Sequence, residues 1–194
     1  MKILAFTDLH GSKKLLKGVI SKSKKADLII CAGDFSIFGN EKEKIIKELD
    51  KIRKPILFIH GNHEDEHKTR IACSKTKNIS FIHGKKHIFG NYVFLGWGGG
   101  GFSIRDMEFE RVSKKWRFDK GNIIILVAHA PPYNTRLDKI YGQPAGNKSI
   151  RKFIEKIKPK LVICGHLHEN DGKVDKINKT LIVNPSSEGR IMEI

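Results

Sequence analysis

The chain has 194 residues, 39% of them hydrophobic, and 37 Lys and Arg against 21 Asp and Glu give a formal charge of +16. That size suits one domain, residues 1–194, with a sizeable core, and the first apolar run stops at Asp8, too short for a signal segment or a spanning helix. Composition thus argues against a membrane class, makes the cytoplasm the default location, and leaves a basic surface that suits polyanionic partners, nucleic acid included, or simply solvated helix faces.

Residues 2–7 read as a buried strand, followed by a helix at 12–25 with Ser12 as N-cap and Leu15, Leu16, Val19 and Ile20 on one face. A strand at 27–32 precedes a helix at 41–53, which Pro55 closes before a third strand at 56–59. A weaker helical pattern covers 64–75. Short strand-like runs follow at 79–82, 86–89 and 92–97, punctuated by Gly84, Gly90 and the Gly98–Gly101 run, and their close spacing predicts hairpins. Residues 105–117 read as helix, 122–128 as a buried strand and 148–158 as helix. Strands at 160–164, 173–177 and 180–184 come next, with a candidate strand at 190–194. The three cysteines, Cys31, Cys73 and Cys164, form no CxxC pair and are odd in number. They fit small buried hydrophobes better than a disulfide framework.

Five fragments stand just past these apolar runs: Asp8-Leu9-His10, Gly33-Asp34, Gly61-Asn62-His63, His129 and Gly165-His166-Leu167-His168. An open α/β sheet binds ligands beyond the carboxyl ends of its strands, so the topology would deliver these side chains to one edge. Imidazole and carboxylate hold divalent ions of the borderline class, and the donors are too many for one ion. With two ions about 3.5–4 Å apart, a carboxylate can bridge them and a hydroxide can take the other bridging place. Two aspartates and a hydroxide cancel three of four positive charges, leaving a centre suited to a phosphate ester.

In order and spacing the five fragments resemble the signature blocks of the calcineurin-like metallophosphoesterases, over residues 8–168. The resemblance implies a four-layer α/β/β/α sandwich of two mixed β-sheets, and hydrolysis of phosphate mono- or diesters of small molecules or nucleotides. It implies that Asp8, His10 and His168 bind one metal, that Asn62, His129 and His166 bind the other, and that Asp34 bridges them. His63 would contact the phosphate and act as general acid. Two divalent ions are implied; a donor set without thiolate fits Mn, Fe, Zn, Co or Ni, and availability together with the resemblance puts Mn first. Where protein Ser/Thr phosphatases of the superfamily read Gly-Asp-x-x-Asp-Arg-Gly, this chain reads Gly33-Asp34-Phe35-Ser36-Ile37-Phe38-Gly39. The missing Asp and Arg point away from phosphoproteins and leave His63 without its usual orienting group, for which Asp65 is the nearest candidate. His129-Ala130-Pro131-Pro132 with Thr135 and Asp138 is similar to a subgroup of small microbial phosphoesterases, the prolines stiffening the loop.

Rival readings use the same residues. His63-Glu64-Asp65-Glu66-His67 satisfies HExxH, but that zincin pattern needs both histidines on one helical face, and here the first follows a strand directly. Gly142, Gly146, Lys148 and Ser149 only superficially resemble a phosphate loop. Trp97 and Phe102 flank the glycine run as core or pocket wall, and His60 reads as structural. Two other functions share the fold: a nuclease or nucleic-acid-binding member, favoured by charge, and a non-catalytic interaction module, disfavoured because every ligand position is filled.

Overall fold

The computed structural model describes residues 1–194. From the amino end run β1 (Lys2–Phe6), α1 (Lys13–Ser23), β2 (Leu28–Cys31), α2 (Lys42–Asp50), β3 (Ile56–Phe58), α3 (Glu66–Ser74) and β4 (Ile79–Phe81). Then come β5 (Lys86–Phe89), β6 (Tyr92–Trp97), α4 (Met107–Ser113) and β7 (Ile123–Ala128). A small hairpin, β8 (Lys139–Ile140) and β9 (Gln143–Pro144), leads to α5 (Lys148–Ile157) and β10 (Leu161–Ile163). The remaining strands are β11 (Val174–Ile177), β12 (Thr180–Val183) and β13 (Arg190–Glu193).

Two mixed sheets form. The first has the order β13-β1-β2-β3-β4, parallel except where β13 runs against β1. The second has the order β11-β12-β10-β7-β6-β5, with a parallel centre and an antiparallel strand at each edge. Alternation along the strands explains the layering. In β1, Leu4 and Phe6 join Val19, Ile45 and Leu49 in a core beneath the first three helices. Ile3 and Ala5, pointing the other way, meet Phe94, Ile125 and Ile163 of the second sheet. Beyond that sheet, Leu126 and Val162 pack with Phe109, Phe153 and Ile154 of α4 and α5. Central strands are covered on both faces, hence their unbroken aliphatic runs. The result is the α/β/β/α sandwich.

One pairing differs from the expected one, and the sequence leaves two others open. The first of the closely spaced strands, β4, joins no hairpin; α3 carries it parallel to β3 in the first sheet. Only β5 and β6 form the expected hairpin. The strand near residue 190 returns to the first sheet beside β1. The β8–β9 hairpin has no counterpart in the sequence reading, since two residues per strand leave no periodicity to read. Caps set the helix starts: Ser12, Asp65, Asp106 and Asn147 each accept a backbone N–H of the first turn. All three cysteines are free and buried, and no helix is long and apolar enough to cross a membrane.

Candidate metal centre

The carboxyl ends of β1, β2, β3, β7 and β10 converge on one edge where the sheets meet, and all eight expected side chains gather there. Backbone hydrogen bonds tie the loops in pairs. Asp8 N–H donates to the Gly33 carbonyl at 3.0 Å and His10 N–H to that of Asp34 at 3.0 Å. Within the second sheet, Gly165 N–H donates to the His129 carbonyl at 3.0 Å, and across the sheets His166 N–H donates to the Asp8 side chain, Oδ2, at 3.0 Å. Asp8, His10, Asp34 and His166 have φ of 54°, 43°, 50° and 74°. The left-handed region costs about 1–2 kcal/mol for such residues, so the surrounding bonds hold strain where the donors are displayed.

The glycines beside these donors are required by close approach. A Cβ on Gly61 would lie 1.9 Å from Asp34 Oδ1, and one on Gly165 2.0 Å from Thr7 Oγ1 and 2.5 Å from Asp8 Oδ2. On Gly33, which has φ +98°, it would meet His129 Nδ1 at 2.7 Å.

Three groups of donors have all their atoms within 4.8 Å of one another: Asp8, His10 and His168; His10, Asp34 and His63; Asp34, His129 and His166. Asp34 belongs to two of them. Its Oδ2 lies 3.3 Å from His129 Nε2 and 4.0 Å from His63 Nε2, while Oδ1 accepts the His63 backbone N–H at 2.9 Å. His129 Nδ1 faces the Ala32 carbonyl at 2.8 Å, which aims Nε2 at Asp34 and at Asn62 Oδ1, 3.0 Å away. His10 and His168 point Nε2 at each other across 2.9 Å, where they can share one proton at most.

Electrostatics reinforce this. Burial works to raise the Asp34 pKa, but the hydrogen bond and charge of His129 outweigh it and hold the carboxyl at about 2. Burial works to lower His129, and the same partner raises it to about 9. His166, mainly through burial, is held at about 4. Its Nε2 and His63 Nδ1 are buried without a hydrogen-bond partner. Unpartnered imidazole nitrogens, a facing pair of Nε2 atoms and a buried carboxylate make a set that a borderline divalent cation fits. No thiol joins it.

Several residues lie elsewhere than expected. Asp65 does not orient His63; it caps α3, its Oδ1 accepting Lys68 N–H at 2.8 Å. The ring set against His63 is Phe38, stacked at 4.6 Å between centroids and 25° between planes, with His10 edge-on at 4.7 Å. Glu64, which closes the third signature block and also belongs to HExxH, is buried behind the cluster. Its oxygens accept from the backbone N–H of Asp34, Ser36 and Gly61 at 2.9–3.0 Å and from Ser36 Oγ at 2.8 Å. Trp97 is core, its Nε1 donating to Asp106 at 2.8 Å, whereas Phe102 is exposed and meets His166 in a T-shaped contact. His67 is exposed and belongs to none of the donor groups. Asp138 accepts from Asn134, Thr135 and Gly146 N–H, tying the loop after His129 to the β8–β9 hairpin.

A sandwich with this cluster at its strand ends defines a metallophosphoesterase-type architecture. The sequence matches the calcineurin-like phosphoesterase family over residues 1–170, and the chain belongs to that family. It is 34% identical to protein MJ1162 of Methanocaldococcus jannaschii, over 96% of this chain and 88% of that one. The crystal structure of TT1561 of Thermus thermophilus superimposes with a TM-score of 0.75 at 14% identity, covering 96% of this chain and 90% of that one. A dimetal phosphatase from Danio rerio gives 0.58 at 11% identity, with 94% and 86% covered. At such identities these structures share the fold.

Proposed function

We propose that residues 1–194 act as one catalytic domain that hydrolyses phosphate mono- or diesters at two divalent metal ions. The observation that carries the reading is the buried Asp34 carboxylate, grouped with His10 and His63 on one side and with His129 and His166 on the other. Asp8, His10 and His168 would hold one ion, Asn62, His129 and His166 the other, and Asp34 both. The thiolate-free set fits Mn, Fe, Zn, Co or Ni, and manganese is taken first because labile sites fill with the ion that is available, not because these donors favour it. The dimetal phosphatase of the same fold supports the pairing. When bound, such ions supply Lewis-acid charge for phosphate oxygens and lower the pKa of water beside them.

The chain's own groups supply the rest. His63 lines the cavity above the cluster, its ring clamped by Phe38 and His10. From there it gives a proton to the departing alkoxide, which otherwise leaves slowly. Purified protein with Mn²⁺ should cleave p-nitrophenyl phosphate or bis-p-nitrophenyl phosphate; failure on both removes the reading. His63→Ala is expected to retain both metals while turnover falls about a hundredfold. Equal activity would take His63 out of the mechanism.

Metal and proton compete for His129 Nε2. With its pKa raised to about 9, His129 carries a proton at neutral pH before loading and must lose it to become a ligand. Mn²⁺ affinity should therefore weaken as pH falls below about 9, by up to about tenfold per pH unit for that proton. Titration calorimetry in buffers of different ionisation enthalpy measures the release; no proton released at pH 7 would contradict the assignment of His129.

A further inference from the structure

The cavity above the cluster, about 460 Å³, differs from the rest of the surface. In a chain of charge +16, no lysine or arginine lines it, and Glu169 adds a carboxylate at its edge. The wall is apolar instead. Ile37 and Phe102 are 46% and 65% exposed, and Ile140 and Leu167 complete it. These four come from four separate segments: the loops after β2, β6 and β10, and strand β8. Phe102 also meets His166 in a T-shaped contact, 4.6 Å between centroids, so the apolar wall is continuous with the donor cluster.

A second anionic group outside the reach of the metal cluster would find no lysine or arginine here, and Glu169 would repel it. A flat apolar group would displace water from Phe102 and Ile37. We propose that this mouth makes the site selective for phosphate esters whose organic arm is flat and apolar, against arms that carry further negative charge. Phe102 is the specificity-determining residue, and Ile37, Ile140 and Leu167 form the rest of the wall. Polyphosphates and nucleic-acid strands fall in the disfavoured class, so the basic residues serve the outer surface. The inference rests on the ester-hydrolase reading for its site, but the arm preference is measurable without turnover.

The test is the affinity of Mn²⁺-loaded protein for phosphonates, whose P–C bond resists hydrolysis, read by calorimetry. Phenylphosphonate is expected to bind about tenfold tighter than methylphosphonate, and 4-carboxyphenylphosphonate more weakly than phenylphosphonate. Phe102→Ala should bring the phenyl-to-methyl ratio close to one, and Ile37→Arg should favour the carboxylated ring. Ile88→Ala, on the exposed edge strand β5, should leave the ratio as in the wild type. Equal phenyl and methyl affinities, or a ratio unmoved by Phe102→Ala, overturn the proposal. Selective binding without cleavage of bis-p-nitrophenyl phosphate or p-nitrophenyl phosphate would sink the hydrolase reading and leave the mouth standing. Cleavage with no arm preference would do the reverse.

Discussion

Asp34→Asn is expected to lower kcat/KM by on the order of a thousandfold, the loss of several kcal/mol of charge stabilisation, and to reduce manganese content at both sites. Both oxygens of the carboxylate are committed: Oδ1 to the His63 backbone N–H at 2.9 Å, Oδ2 to His129 Nε2 at 3.3 Å. An amide offers one neutral oxygen and turns an NH₂ toward one of those partners. It also removes the charge that raises the His129 pKa. In metal-free protein a carboxyl with a depressed pKa contributes stability above its unfolded value near 3.8 and loses it as pH falls toward 2. The variant should lack that acid-dependent loss. Metal analysis beside near-ultraviolet dichroism is the check, and unchanged metal content in a folded variant would end the shared-carboxylate assignment.

Glu64→Ala should cost about 3–5 kcal/mol, because three backbone N–H groups and the Ser36 hydroxyl lose their acceptor inside the protein. Burial and then the Asp34 charge push the Glu64 pKa up, and the hydrogen bonds from Gly61 and Ser36 oppose them. Two of the donors belong to Asp34 and Gly61, so the cost is coupled to the cluster: the loop that sets Asp34 is expected to slacken and activity to fall with stability. Glu64→Gln, similar in shape with one carbonyl oxygen left, should recover part of both. Urea unfolding in the presence of chelator isolates the stability term. A midpoint equal to the wild type would show that the loop holds itself without Glu64.

The layers are legible in the sequence because Ile3 to Phe6 and Leu28 to Cys31 are apolar on both faces, a pattern few architectures other than covered parallel strands produce. The polar fragments just past them place the site at the sheet edge by topology. Partner choice is not legible. Residues 79–81 and 190–193 read as strands, but nothing local says that they pair with β3 and β1. Glu64 is hidden for a physical reason: a carboxylate between His63 and Asp65 looks solvated in any linear reading, and only the folded loop shows its four donors. For Asp65 the signal is present in the sequence, an Asp directly before a helix being a cap before it is anything else. Phe38 stands in plain view as an exposed aromatic, its partner 25 residues away in sequence.

Cys31 and Cys164 are each two or three residues from a donor-bearing turn, in different sheets, and Cys73 sits in α3. Burial raises the pKa of all three thiols, Cys73 to about 12. Reactive thiolate is therefore scarce as well as inaccessible while the fold is closed. A thiol reagent added to native protein will label each position only when its own region opens, so labelling rates followed by peptide mass give the opening free energy of each half separately. The molecule thus carries its own reporters: ion loading that clamps both sheet edges should slow Cys31 and Cys164 together, whereas loading of one edge alone would slow one and spare the other.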